Sequence, residues 1–122
     1  ARGVATVHSA LACGSANGVR MLSDKGRLRV LDVQSNGVDI LLGVPLKWGM
    51  GLCLDSPLFA NTRQHKLAYW CGNGGSLGFV DLDARMSIAF VMNRWIERMP
   101  YEHTRRARLL DAVYEGLDGR KA

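Results

Sequence analysis

The stretch KLAYWCGNGGSLGFVDLDARMSIAFVMNRW, residues 66–95, decides the fold of this chain. Apolar runs that are rich in aromatic and β-branched residues alternate in it with polar turns at residues 73–76 and 81–83. Short runs of this kind, separated by Gly and Asp, are typical of adjacent antiparallel strands. The last run, residues 86–92, has two apolar faces, which predicts a central strand that is covered on both sides.

Helices are predicted on both sides of this meander. Apolar residues recur at helical spacing in residues 2–12, and Gly14 follows them as a helix terminator. Ser23 is a favourable N-cap residue for a second helix. The Leu and Val stripe of residues 102–117 predicts a last helix. The predicted fold class is therefore α+β, an antiparallel meander of about three to four strands flanked by N-terminal and C-terminal helices.

Between the second helix and the meander the pattern is mixed. Residues 38–46 are apolar but interrupted by Gly43 and Pro45, which favours a loop packed on the core. Residues 48–54 alternate between large apolar residues and Gly or Cys. This predicts a strand with one face on which another group can approach the backbone closely. We expect a single partial domain over residues 1–122, with a helical portion at 1–37, antiparallel strands at 47–95 and a C-terminal helix at 101–118.

Composition indicates a globular domain without a membrane span. The chain has 122 residues, of which 48% are hydrophobic and 22% are charged, as in ordinary folded domains. Its apolar runs are too short to cross a bilayer, and no basic-then-apolar leader signals export. Three cysteines without paired spacing favour a reducing compartment, so a cytoplasmic location is predicted. The first residue, Ala1, is not Met, which favours a processed or excised piece.

The net charge of +5 accompanies a cluster of basic residues near the C-terminus. Its members are Arg94, Arg98, Arg105, Arg106 and Arg108. Such a cluster could bind nucleic acid or an acidic membrane surface. The interleaved Glu97 and Glu102, and the lack of a nucleic-acid-binding motif, favour a solvated helix face instead. No nucleic-acid or membrane partner is therefore predicted.

The chain holds few residues that could perform chemistry alone. Its histidines and cysteines lack the short spacings of a metal site, so no metal and no cofactor is predicted. Cys71 and His65 would lie roughly 20 Å apart on a continuous strand, which favours a small buried thiol over a nucleophile. The glycines of residues 72–76 precede a strand and lack a Lys-Ser/Thr pair, so a phosphate loop is rejected. The chain also contains neither Ser-x-x-Lys nor Tyr-x-Asn.

A resemblance to a known family rests on three segments: WCGNGGSLGF at 70–79, DLDARM at 81–86 and FVMNR at 90–94. These resemble the C-terminal part of the β-lactamase-related serine hydrolases, with the family VIII carboxylesterases as the nearest branch. The segments NGVRMLS at 17–23 and WGMG at 48–51 agree with the family in the same order. The resemblance covers nearly the whole chain up to Trp95. It implies the last third of an α/β sandwich, in which helices flank an antiparallel sheet.

The resemblance implies roles for Trp70, Cys71, Gly72 and Asn73, which occupy the family's third motif on the strand beside the nucleophile. Trp70 would face the acyl or alcohol group of the substrate, and Gly72 would let the substrate lie along the strand. Asn73 would offer its backbone N–H to the oxyanion that forms in acyl transfer. The lack of a basic residue at position 70 favours esters over β-lactams, and Cys71 would narrow the pocket where the family often has Gly.

The predicted function is the C-terminal segment of a serine hydrolase that cleaves an ester or amide through an acyl-serine intermediate. The nucleophilic Ser, its Lys and a Tyr would lie in an N-terminal portion of the same fold, so this chain alone is expected to be inactive. Two alternatives stay open: a non-catalytic remnant or protein-interaction module, and a basic nucleic-acid-binding module. A central strand without its cover exposes apolar surface, so we also expect self-association or marginal stability of the isolated chain.

Overall fold

The computed structural model describes residues 1–55, 66–95 and 105–119. Its helices are α1 (Arg2–Cys13), α2 (Asp24–Leu28) and α3 (Arg105–Gly119), and a 3₁₀ turn (Arg29–Leu31) follows α2 directly. Its strands are β1 (Ser35–Val38), β2 (Pro45–Trp48), β3 (Cys53–Asp55), β4 (Leu67–Cys71), β5 (Leu77–Asp81) and β6 (Met86–Phe90). None of these described helices is both long enough and apolar enough to cross a membrane.

Within these ranges the strands form one antiparallel sheet in the order β1-β2-β3-β4-β5-β6. Strands β4 and β5 pair from Leu67 opposite Asp81 to Cys71 opposite Leu77. Strands β5 and β6 pair in the same regular way over their whole lengths. The predicted α+β class and the meander are confirmed, and the sheet has six strands where three to four were predicted.

Alternation along the strands sends side chains into two cores on opposite faces of the sheet. On one face, Tyr69, Phe79 and neighbouring strand residues pack with Leu110 of α3. On the other face, Ala68 and Val80 pack with Ala12 of α1. The sheet is therefore the middle layer between α1 and α3, and β4 and β5 are its most buried strands.

Strand β6 was predicted to be central, and this is wrong for the part of the chain that the structure describes, where β6 is an edge strand next to β5. Both of its faces are nevertheless covered. Ser87 donates from its Oγ to the carbonyl of Ala5 in α1 at 2.9 Å, and Phe90 packs on the core that contains Leu110. A strand with a helix on each side can be apolar on both faces at an edge, so the two-faced pattern does not identify a central strand.

The predicted loop at residues 38–46 is confirmed for residues 39–44, but Ile40 and Leu41 in it are exposed and not packed on the core. The predicted strand at 48–54 is wrong. The first region is a hairpin, since β1 and β2 pair from Ser35 opposite Trp48 to Val38 opposite Pro45. The second is a reverse turn between β2 and β3, in which Gly49 N donates to Leu52 O at 2.8 Å. Gly51 has a φ of +81°, which favours glycine, and it belongs to this turn and not to a strand face.

The helix boundaries follow the predicted signals more closely. Gly14 ends α1 with a φ of +87°, as its position predicted. Ser23 caps α2, since its side-chain oxygen accepts from Gly26 N at 3.0 Å. The α-helical part ends after Leu28, and β1 already begins at Ser35, so the region up to residue 37 is less helical than predicted. The last helix begins at Arg105, and residues 101–104 lie outside the described part.

Candidate active site

The end of strand β4 and the turn after it form the candidate site. Gly72 N donates to Ser76 O at 3.0 Å, and Gly75 N donates to Gly72 O at 2.9 Å. Gly75 has a φ of +105°, whereas neither Asn73 nor Gly74 has a positive φ. This is a type I turn followed by a left-handed glycine, the geometry of a short hairpin loop. The predicted tight turn at the glycines is confirmed.

The backbone N–H of Asn73 is available at this turn. Asn73 is exposed, and among the described residues its N–H donates to no carbonyl and no side chain. It occupies the first central position of the turn, two residues after the last residue of β4, Cys71. An N–H that has no acceptor within the described residues and lies in a hydrogen-bonded turn can donate to a ligand oxygen.

Two glycines of the turn have no room for a side chain. A Cβ on Gly74 would lie 2.5 Å from Met92 Cε and 2.8 Å from Trp95 Cε3, both on the segment after β6. A Cβ on Gly72 would collide with Ser76 Oγ. The turn is thus fixed by packing from its own chain as well as by hydrogen bonds.

Trp70 stands at the surface at the end of β4. Its side chain is 39% exposed, and its ring centroid lies 4.6 Å from that of Trp48 at an interplanar angle of 46°. Trp48 reaches it from β2, where the register shifts between Lys47 and Trp48. The two tilted rings make an aromatic surface near the turn.

Cys71 faces the other way, toward the core that holds Tyr69 and Leu110. Burial raises the pKa of the Cys71 thiol, the Arg106 guanidinium opposes this rise and Cys53 adds to it. A protonated thiol in an apolar surrounding is a poor nucleophile. The thiol was predicted to be buried, and the Cys71 side chain is half-buried, while His65, the partner considered for it, lies outside the described residues.

The predicted basic cluster contributes one residue to this site. Arg106 of α3 reaches the carbonyl of Gly72, with 3.5 Å between Nη1 and the oxygen. Arg105 lies over the Phe90 ring at 5.8 Å and donates to Arg94 O at 2.8 Å. These arginines bind the chain's own sheet and loop, and Arg98 lies outside the described residues.

Several features were missed in the sequence. The contact of Trp48 with Trp70 depends on the register shift between Lys47 and Trp48, and no local sequence motif predicts that shift. Residues 74–78 read GGSLG and so have the form Gly-x-Ser-x-Gly. In the structure, Ser76 precedes strand β5, not a helix, so this is not a nucleophile elbow. In the described ranges, no three His, Cys, Asp or Glu side chains gather where a metal ion could bind.

Comparison with known proteins identifies the architecture. A crystal structure of a family VIII carboxylesterase matches with a TM-score of 0.78 and 30% identity, over 93% of this chain and 30% of that one. The crystal structure of a penicillin-binding protein homolog from Caulobacter crescentus matches with a TM-score of 0.68 and 28% identity, over 75% of this chain and 25% of that one. This chain matches part of a β-lactamase-like fold.

The resemblance seen in the sequence is thereby confirmed. The chain is related to part of the carboxylesterase and penicillin-binding-protein fold, and it spans 30% or less of the length of these two relatives. No family model matches the chain, and no curated protein matches it.

Proposed function

We propose that this chain is the C-terminal segment of a serine hydrolase of the carboxylesterase type. In this proposal, β4 and its turn form one wall of a cleft in which an ester is hydrolysed through an acyl-serine intermediate. The reacting Ser, its Lys and the Tyr belong to an N-terminal portion of the same fold, which is the partner that this chain needs. The observation that carries the proposal is the 30% identity to a carboxylesterase over 93% of this chain.

The geometry of the turn supports specific roles. Asn73 N–H would donate to the oxyanion of the tetrahedral intermediate, because it is exposed and held in a fixed turn. Trp70 would contact the acyl or alcohol group, and the substrate would lie along the strand at Gly72, where Ser76 Oγ occupies the space that a Cβ would fill. Cys71 would support the wall from behind and would not narrow the pocket as first expected, since its side chain packs on the core.

The substrate would be an ester more readily than a β-lactam. Trp70 offers no positive charge for the carboxylate that a β-lactam carries, whereas an aromatic surface suits an uncharged acyl or alcohol group.

The three cysteines carry free thiols. A reducing compartment would keep these thiols free, so the proposal includes a cytoplasmic location.

The first test is the activity of the 122-residue chain itself on 4-nitrophenyl acetate. We expect no turnover above the buffer rate, because this chain contains neither Ser-x-x-Lys nor Tyr-x-Asn to activate a hydroxyl. Turnover that a serine-directed phosphonate abolishes would contradict the division of the site between two portions.

The second test is the DNA that encodes residues before Ala1. If it encodes Ser-x-x-Lys and Tyr-x-Asn in frame, the longer protein should hydrolyse nitrophenyl esters, and Asn73→Pro should lower its kcat by about 10²–10³-fold. Proline is compatible with the first central position of a type I turn, so the fold should survive. Asn73→Ala keeps the N–H and is the matched control. An upstream sequence without these motifs would favour the non-catalytic interaction module instead.

A further inference from the structure

The turn that carries Asn73 is covered by two side chains from the segment after β6. Gly74 is buried, and a Cβ on it would lie 2.5 Å from Met92 Cε and 2.8 Å from Trp95 Cε3. The methionine methyl and the indole ring therefore lie directly against Gly74. Met92 is half-buried and Trp95 is 62% exposed, so this contact lies at the surface, within reach of small molecules in water.

The register of the sheet brings this segment to the turn. Strands β5 and β6 pair from Asp81 opposite Met86 to Leu77 opposite Phe90. The chain after Phe90 therefore continues beside the residues before Leu77, which are the residues of the turn. The contact of Met92 with Gly74 follows from antiparallel pairing and does not depend on a distant loop.

The turn itself has few hydrogen bonds. Gly75 N donates to Gly72 O, and Gly72 N donates to Ser76 O. Within the described residues, the N–H groups of Asn73 and Gly74 donate to no acceptor. A short turn with two backbone hydrogen bonds depends on side-chain packing to hold its shape. The contact of Met92 and Trp95 with Gly74 supplies that packing.

The thioether of Met92 is open to oxidation by a peroxide. Hydrogen peroxide transfers one oxygen atom to the sulfur: the O–O bond breaks, an S–O bond forms from a sulfur lone pair, and water leaves. The product, methionine sulfoxide, is polar where the thioether was apolar. Burying a polar group without a hydrogen-bond partner costs free energy, so the oxidised side chain favours water over its contact with Gly74.

From this geometry we propose that Met92 is a peroxide-sensitive modification site whose oxidation loosens the turn that carries Asn73. The change is reversible, since methionine sulfoxide reductases restore the thioether. Its effect on catalysis rests on the proposed function, because the Asn73 N–H is the donor proposed for the oxyanion. In that reaction Met92 is a positioning residue that acts through the turn.

The test is amide hydrogen exchange of the 122-residue chain before and after treatment with hydrogen peroxide, with mass spectrometry to measure oxidation at each methionine. When Met92 is oxidised, the Gly75 N–H should exchange about tenfold or more faster, because its hydrogen bond to Gly72 O closes the turn. Methionine sulfoxide reductases should restore the slower rate. The N–H groups of Tyr69 and Phe79 should keep their rates, and an equal acceleration there would overturn a local effect.

Two variants assign the effect to one sulfur atom. Met92→Leu keeps a side chain of similar volume without a sulfur, so peroxide should leave its Gly75 exchange unchanged. Met21→Leu is the matched control, since Met21 is 64% exposed between α1 and α2, and this variant should respond as the natural chain does. Equal acceleration in Met92→Leu, unchanged exchange after full oxidation of Met92, or no oxidation of Met92 while Met21 is fully converted would overturn the proposal.

Failure of this inference differs visibly from failure of the proposed function. In the longer protein, peroxide should lower kcat on nitrophenyl esters by about tenfold, and Met92→Leu should prevent this loss. If both forms cleave esters and lose kcat equally, only the role of Met92 is refuted. If oxidation loosens the turn but the longer protein cleaves no ester, the modification site stands and the hydrolase proposal fails.

Discussion

At the scale of single residues, Gly49 is a position where another segment of the chain lies close to the backbone. The sequence predicted a glycine face open to close approach, and the group that approaches is the carbonyl of Val30 in the chain's own 3₁₀ turn. A Cβ on Gly49 would collide with that oxygen and would lie 2.7 Å from Leu54 Cδ2. The absence of a side chain at Gly49 therefore lets the 3₁₀ turn pack closely on the sheet.

We expect Gly49→Ala to lower the free energy of unfolding by about 2 kcal/mol, because a backbone oxygen cannot move away as a flexible side chain can. The measurement is urea unfolding followed by circular dichroism. Gly37→Ala in β1 is the control, since a Cβ there meets nothing within 4 Å. That control should be neutral or slightly stabilising. Equal losses in both variants would show that the Val30 contact is not the cause.

A second residue-scale prediction concerns Tyr114 and the fully buried Asp81. The Tyr114 hydroxyl donates to Asp81 Oδ2 at 2.7 Å, and Ala84 N donates to Asp81 Oδ1 at 2.8 Å. Tyr114→Phe removes the hydrogen bond that the Tyr114 hydroxyl donates to Asp81 Oδ2. We therefore expect the free energy of unfolding at pH 7 to fall by about 1–3 kcal/mol. Urea unfolding of the two proteins measures it, and unchanged stability would contradict a role for the pair in holding α3 to the sheet.

The same pair predicts a dependence on alkaline pH. Burial, followed by the hydrogen bond and charge of Asp81, raises the pKa of the Tyr114 phenol. Above the ordinary tyrosine pKa of about 10, the unfolded chain releases this proton while the folded chain retains it. Stability from Tyr114 is thus fully present below pH 10 and is lost as the pH rises further. Unfolding midpoints between pH 8 and 11 should fall more steeply in the natural chain than in Tyr114→Phe.

At the scale of helices and strands, local signals in the sequence predicted local structure well. Ser23 caps a helix and Gly14 ends one, because each acts on backbone groups within a few residues. The turn after β4 was also predicted, since its glycines follow an apolar run directly. The same reasoning predicted the loop at residues 39–44 but missed the hairpin that it closes, in which Gly43 lies in the turn and Pro45 is the first residue of β2.

The candidate site was predictable only in part for the same reason. Its strand and turn are local and could be placed from the run before Gly72. The contact of Trp48 with Trp70 joins residues on strands separated by β3, and it depends on the register shift at Lys47. The reach of Arg106 to Gly72 depends on how α3 docks. Neither contact has a signal in local spacing, since both are set by tertiary packing.

An element-scale prediction concerns the docking of α3 on the sheet. Leu110 is 2% exposed and belongs to the same core as Tyr69 and Phe79. Leu110→Ala should lower the free energy of unfolding by about 2–5 kcal/mol, because it leaves a cavity between helix and sheet. Asp111→Ala, at the exposed neighbouring position, should change it by less than about 0.5 kcal/mol. If α3 unfolded separately, helix signal would be lost before the near-ultraviolet signal of the core, contrary to this expectation.

At the scale of the whole molecule, the described part of the chain has a core on each face of its sheet and an open strand at each edge. It spans 30% of the length of the matched carboxylesterase. In the described part, β6 has a strand neighbour on one side only, and Val91 and Trp95 beyond its end are more than half exposed. An open strand edge next to exposed apolar side chains is a template for pairing with another chain.

We therefore expect the isolated chain to associate through the β6 edge. Light scattering should show a mass that rises with protein concentration, and Val91→Lys should reduce this rise because a charge at an edge strand opposes pairing. Val19→Lys is the control, since Val19 is 63% exposed but lies between α1 and α2, away from both edge strands of the sheet. An equal reduction in both variants would attribute the association to net charge. A monomer with sharp cooperative unfolding at all concentrations would show that the two-faced core alone stabilises the chain.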